Sequence, residues 1–301
     1  MESGYDIPIG FFTFNRLDTA IEVFNRIREI KPQKFYLVSD GPRDNKEGEN
    51  LKVREVRDYI ESHIDWPCEV KKNYALKNMG CRNRMASGIT WLFENEEMAI
   101  ILEDDVKPGL DFFWFEKEML ERYKDDKRIM MVSGYKYLNQ YPINESYTFS
   151  NHSVIWGWGT WRRAWENYDV DIKSWPQRKK DGSLRKKFNF LGYKVRSHHF
   201  DSVYNHILDT WDYQWGYTVY EKNGLCIVPK VNMIENLGFN RDDATNTKGK
   251  TSLDFTVSKM VFPLTHPAKI EANTDYDRSF LELRWGIKAM IKKVMKRIFK
   301  V

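Results

Sequence analysis

Met98-Ala-Ile-Ile-Leu102-Glu103-Asp104-Asp105 is a dense apolar run that stops abruptly in three carboxylates. Five consecutive apolar positions suit a strand buried on both faces, because neither face has to meet water. Three adjoining acids at its end repel one another unless a cation, a hydrogen-bonded ligand or water offsets the charge. A hard cation of the magnesium or manganese type also binds substrate phosphates, where it can neutralise charge forming on a leaving diphosphate. An ordinary acidic surface turn is the plainer reading of the same residues.

Upstream, apolar runs alternate with segments of helical periodicity. Ile7 to Phe14 reads as a strand, and Leu17 to Ile30 as a helix with apolar positions at Ile21, Val23, Phe24, Ile27 and Ile30. Lys34 to Val38 is a second strand, stopped by Ser39-Asp40-Gly41-Pro42, and Asn50 to His63 a second helix. A third strand over Cys68 to Lys72 and a helix over Cys81 to Phe93 lead into the acidic run. Such alternation predicts an α/β fold with a mainly parallel central sheet flanked by helices. Ligands of such sheets bind beyond the carboxyl ends of the strands.

From Ile129 the texture changes to short strands and aromatic loops, among them Met130 to Val132 and the tryptophan-rich stretch Gly157 to Trp165. Arg196 to Tyr220 reads as mostly helical, Leu225 to Pro229 as a strand, and the polar stretch Gly238 to Ser252 as a mobile loop whose Arg241 to Lys250 segment is able to close over a ligand. The expected division is a first part over 1–135, a second over 136–270, and a basic amphipathic helix over 271–301.

The chain has 301 residues and a formal charge of +5, long enough for a sizeable core and too weakly basic to imply nucleic acid. Its three cysteines, Cys68, Cys81 and Cys226, lack paired metal-ligand spacing and fit a reducing compartment better than a disulfide framework. His198, His199 and His206 have no partners at zinc spacing. The last 24 residues hold eight Lys or Arg and one Glu, so the positive surplus is concentrated there. Phe280, Leu281, Leu283, Trp285, Ile287 and Met290 begin one apolar helical face, with basic residues around the other, the profile of a helix lying on an anionic leaflet. A helix packed on the body of the protein with a basic solvated side is the alternative.

Several stretches in order resemble the GT-A superfamily of nucleotide-sugar-dependent glycosyltransferases, in particular its N-acetylglucosaminyltransferase I-type branch and related bacterial polysaccharide enzymes. They are Phe12-Thr-Phe-Asn-Arg16, Ser39-Asp40-Gly41, Asn78-Met-Gly-Cys81, and Ile101-Leu-Glu-Asp-Asp-Val106 with Pro108 and Phe112-Phe113. Gly157-Trp158-Gly159 and Trp211-Asp212 are similar to acceptor-side elements of that branch, and the similarity covers roughly residues 7 to 240.

The resemblance implies a GT-A fold and inverting transfer of a sugar from a UDP-sugar to a hydroxyl of a lipid-linked or capsular or lipopolysaccharide oligosaccharide. By the same resemblance, Asp105 ligates Mn²⁺ or Mg²⁺ bridging the diphosphate, while Glu103 and Asp104 lie near the ribose and donor sugar. Thr13, Asn15 and Arg16 would lie near the nucleoside or phosphates and Asp40 near the base, although Asn15 can equally cap a helix, Arg16 form an ion pair and Asp40 make a turn. Asp212 is the implied general base, with Asp209 as its rival. His266 would contact the cation or diphosphate, or form an ordinary turn. Trp156, Trp158, Trp161 and Trp215 offer sugar-stacking surfaces or core packing. A nucleotidyltransferase making a nucleotide-sugar, or a non-catalytic carbohydrate-binding protein, remains the alternative. The expected location is cytoplasmic, peripheral on the inner face of the plasma membrane.

Overall fold

The computed structural model describes residues 4–239, 241 and 253–286. Its strands are β1 (Ile9–Thr13), β2 (Lys34–Ser39), β3 (Glu69–Tyr74), β4 (Met98–Glu103), β5 (Val106–Pro108), β6 (Ile129–Ser133), β7 (Tyr147–Ser150), β8 (Trp158–Trp161), β9 (Leu225–Pro229) and β10 (Ile234–Asn236). Its α-helices are α1 (Leu17–Ile30), α2 (Glu49–Ser62), α3 (Gly80–Asn95), α4 (Leu110–Arg122), α5 (Arg162–Trp165), α6 (Trp175–Asp181), α7 (Phe190–Tyr204), α8 (Asp212–Glu221) and α9 (Thr274–Trp285).

One sheet has the strand order β3-β2-β1-β4-β8-β6-β9-β7. The β3-β2-β1-β4 half is parallel throughout. Strand β8 runs antiparallel to both β4 and β6, while β6 and β9 are again parallel. The result is a mixed, mostly parallel sheet flanked by helices, in keeping with a GT-A-like α/β fold. A separate antiparallel pair, β5 with β10, ties the segment after the acidic turn to residues 234–236.

Alternation along each strand explains the layering. Ile9 and Phe11 of β1, Phe35 and Leu37 of β2, and Ile100 and Leu102 of β4 face a core shared with α1, α2 and α4. Their neighbours Phe12, Tyr36, Val38, Ala99 and Ile101 face the opposite core, with Met85, Ile89 and Leu92 of α3. Each large apolar side chain removed from water contributes about 1.5–3 kcal/mol, so the double-sided pattern holds both helix layers to the sheet. A third core joins α6, α7, α8 and α9 through Trp175, Phe200, Tyr217, Phe280 and Trp285.

This third core corrects one sequence expectation. Phe280, Leu281 and Trp285 do not form a membrane-directed face; they are buried inside the protein, while Leu283 is exposed. The rest of the expected basic helix, 287–301, lies outside the described residues. No helix among the described residues is long and apolar enough to cross a membrane.

Candidate functional site

Strands β1, β2 and β4 run the same way, so Thr13, Asp40 and Glu103 emerge at one edge of the sheet. The strand order reverses between β1 and β4, since β2 and β3 lie on one side and β4 on the other, and a crevice opens there. A cleft of about 590 Å³ occupies this edge, within the range that encloses small ligands.

The cleft brings together Thr13, Arg16, Asp40, Glu103, Asp104 and Asp105 from the first half of the chain and Asp212 from the second. Asn15 is not among the lining residues. Its Nδ2 donates to Glu49 Oε1 at 2.9 Å, and α1 has no side-chain cap, so the capping expectation does not describe it. Glu49 is buried and also accepts from the Arg43 backbone N–H and guanidinium, which pulls its carboxyl below the usual range. That places Arg43, a lining residue the sequence reading missed, over the Phe14 ring at 5.5 Å. Arg84 was missed as well; it lines the cleft from α3, and its Nη2 donates to Asn73 Oδ1 at 3.0 Å. Neither arginine stands in a legible motif, because packing of separate elements brings each to the cleft.

Arg16 Nη2 donates to Asp104 Oδ1 at 2.6 Å and lies 3.0 Å from Asp105 Oδ2. Asp104 is buried, and its Oδ2 accepts from the Phe14 N–H at 3.1 Å. Burial raises the Asp104 carboxyl, against the opposing effect of Arg16. Arg16 is in turn held firmly protonated, chiefly by Asp104. Glu103 is pushed well above the ordinary range, first by burial and then by the charges of Asp105, Asp104 and Asp212. Asp105 is left with room by Gly238, where a Cβ would lie 2.2 Å from Asp105 Oδ2.

Asp40 sits at the other end of the cleft as a loop clamp. Its Oδ1 accepts from the Gly41 and Met79 backbone N–H groups and its Oδ2 from Asn78 Nδ2. Gly41 makes that clamp possible, since a Cβ there would meet the Lys77 backbone at 2.5 Å. Burial raises the Asp40 carboxyl against those hydrogen bonds.

The two candidate bases differ in what they already do. Asp209 Oδ1 accepts from the Arg82 backbone N–H at 3.0 Å, serving one of the open donors at the start of α3. Asp212 begins α8, and its Oδ1 accepts from the hydroxyl of Thr210. Both line the cleft.

Other expectations are corrected by burial. Trp158, Trp161 and Trp215 are core residues: Trp158 packs against Trp211 and Trp215, and Trp161 Nε1 donates to Leu120 O. Trp156 does line the cleft. His266 sits 3.1 Å from the Tyr147 hydroxyl and 3.5 Å from Glu118, and is not among the lining residues. The expected closing loop lies outside the described residues apart from Gly238, Phe239 and Arg241; Arg241 pairs with Asp18 at 2.6 Å.

Among the described residues, no group of three or more His, Cys, Asp or Glu side chains is arranged to hold a metal ion. The lining carries Arg16, Arg43 and Arg84 against Asp40, Glu103, Asp104, Asp105, Asp209 and Asp212. The donor set therefore fits a hard cation that takes one protein carboxylate and completes its shell with water and substrate phosphates. It supplies no all-protein cage.

No protein-family model matches the chain, and no curated protein is detectably similar to it. Solved structures similar in part include a mannosyltransferase from Pyrobaculum calidifontis in complex with GDP-Man and Mn²⁺, at 15% identity and a TM-score of 0.35, over 52% of this chain and 45% of that one. HddC from Yersinia pseudotuberculosis matches at 10% identity and a TM-score of 0.33, over 53% of this chain and 80% of that one. A UDP-glucose pyrophosphorylase complexed with UDP-glucose matches at 10% identity and a TM-score of 0.31, over 54% of this chain and 79% of that one. The chain thus spans less than half the length of the mannosyltransferase. Likeness this weak and partial carries no functional argument.

Proposed function

We propose that this protein is an inverting glycosyltransferase that moves a sugar from a UDP-sugar to a hydroxyl of a lipid-linked or capsular or lipopolysaccharide oligosaccharide. The observation that carries the reading is the cleft itself: Arg16, Asp40 and the Glu103–Asp105 turn meet at the strand ends, and Asp212 faces the same space from α8. Residues 1–135 supply the donor side and 136–270 the acceptor side.

Thr13, Arg16 and Asp40 position the nucleotide, and Glu103 and Asp104 border the ribose and donor sugar. Asp105 is the residue that would hold Mn²⁺ or Mg²⁺ against the diphosphate, and that cation would supply charge neutralisation to the leaving group. Asp212 takes the proton from the acceptor hydroxyl as its oxygen attacks the anomeric carbon. Asp209 is less suited to that role because it already serves the α3 amino terminus. In this reading the protein acts at the cytoplasmic face of the plasma membrane, with the basic segment 287–301 meeting anionic lipid.

The test is product analysis. The protein is incubated with a panel of UDP-sugars, Mn²⁺ and lipid-linked oligosaccharides, with release of UDP followed. Release of UDP together with glycosylated acceptor is expected. Pyrophosphate released from UTP and a sugar phosphate, with UDP-sugars left unconsumed, would instead make the protein a nucleotidyltransferase.

A further inference from the structure

Arg196, on α7, is buried at 6% exposure, yet its contacts are aromatic. Its guanidinium lies over the Tyr213 ring at 4.9 Å and over the Trp285 ring at 4.9 Å. Among the described residues it forms no ion pair with a carboxylate, and its Nε is a buried donor with nothing to donate to. Arg284, on α9, approaches the same Trp285 ring at 5.2 Å and also stacks on Tyr137 and Phe280, again with no acidic partner among the described residues.

The surroundings add positive charge. Burial pushes the Arg196 guanidinium down and Arg284 adds to that, against the opposing effects of Tyr220, Tyr213 and Asp212. His152, stacked on Phe280 at 4.7 Å, is driven down to about 3 by burial and then by Arg196, Arg284 and Lys187. Its Nδ1 is 3.1 Å from the Tyr220 hydroxyl, whereas its Nε2 is buried without a partner. An unpaired buried cation is costly in a protein interior, and a second cation beside it increases the cost. An anion seated between α7 and α9 removes that penalty and gives the Arg196 Nε donor an acceptor.

We propose that Arg196 and Arg284 form a phosphate-binding subsite, and that it receives a phosphate group carried by the acceptor. The second half of this proposal rests on the glycosyl-transfer reading; the first does not. Tyr213 links the two places, since its ring lines the cleft beside Asp212 and carries Arg196. A phosphate held there fixes the acceptor near the candidate base without touching the donor side. Guanidinium–phosphate pairs are charge-assisted and geometrically selective, which suits both roles.

The experiment titrates inorganic phosphate into the full chain and into Arg284→Gln, Arg196→Gln and Arg43→Gln by calorimetry. Arg284 is half-buried, so its variant keeps the test valid if Arg196→Gln fails to fold. Phosphate affinity is expected to fall by about tenfold or more in Arg284→Gln and to persist in Arg43→Gln, which lies on the donor cleft away from α7 and α9. Absence of phosphate binding, unchanged affinity in Arg284→Gln, or loss confined to Arg43→Gln would overturn the subsite. A second arm floats the same proteins with phosphatidylglycerol vesicles. Arg284-dependent flotation, competed by inorganic phosphate, would assign the phosphate to a lipid headgroup and overturn its assignment to the acceptor. Arg284-independent flotation, with phosphate binding intact, supports an acceptor-borne phosphate. Failure of the UDP-sugar assay would leave the phosphate titration readable by itself.

Discussion

Arg16 and Asp104 are joined across the ends of two neighbouring parallel strands, with Nη2 2.6 Å from Oδ1. Asp104 has only 5% of its side-chain surface exposed, so it depends on this partner and on the Phe14 N–H for its charge. Arg16→Gln is therefore expected to cost about 3 kcal/mol in urea unfolding, because it strands a buried carboxylate. Asp104→Asn should cost less, as Arg16 retains Asp105 at 3.0 Å. Equal, negligible losses in both variants would mean that the pair does not hold the strand ends together.

Asp212 and Asp209 can be separated by what each loses. Asp212→Asn should leave UDP-sugar affinity unchanged and lower the transfer rate by about 10²–10⁴-fold, the range for a general base. Asp209→Asn should instead cost about 1 kcal/mol of stability by weakening the acceptor for the α3 amino terminus. Transfer preserved in Asp212→Asn would remove it from the base role.

Glu116 is fully buried in the α4–β8 interface, and both carboxyl oxygens lack a partner among the described residues. Burial pushes its carboxyl well above the ordinary 4.5. With the folded value above the unfolded one, its stabilising contribution is complete below about pH 4.5 and is lost as pH rises toward the folded value, at up to about 1.4 kcal/mol per pH unit. Glu116→Gln removes that loss, so the variant should gain stability over the parent as pH rises from 4.5 to 8. Parallel unfolding profiles for the two proteins would contradict this account.

Deletion of 287–301 should weaken co-sedimentation with phosphatidylglycerol vesicles and make it insensitive to salt, while UDP release in solution stays unchanged. The expectation follows from the six Lys or Arg in that segment. Vesicle binding equal to that of the full chain would rule out the segment as the anchor.

Much of the sheet was legible because its signal is local. The apolar spacing of Leu17–Ile30 and the run at Leu225–Pro229 match α1 and β9, and the stop at Glu103 matches the end of β4. Strands β5 and β10 were not legible, since three-residue segments acquire their identity only by pairing with each other. The helical stretch expected over Arg196 to Tyr220 is divided between α7 and α8 by residues 205–211, where His206 adopts a positive φ of 56°. The acidic turn stood out because carboxylates after a buried strand have a chemical reading, and Asp212 because Trp211-Asp212 resembles an element of the GT-A glycosyltransferases. Arg43, Arg84 and Arg196 did not, because their positions depend on Glu49, Asn73 and the Tyr213 and Trp285 rings from distant parts of the chain.

Binding of a UDP-sugar together with a divalent cation through Asp105 is open to calorimetry. A UDP-sugar panel is titrated into the wild-type protein and Asp105→Ala, each with Mn²⁺ and again with EDTA. Selective binding of one UDP-sugar by the wild type with Mn²⁺ is expected, weakened by about tenfold or more both in EDTA and in Asp105→Ala. Equal affinity with Mn²⁺ and EDTA, full affinity in Asp105→Ala, or no binding of any UDP-sugar would contradict it.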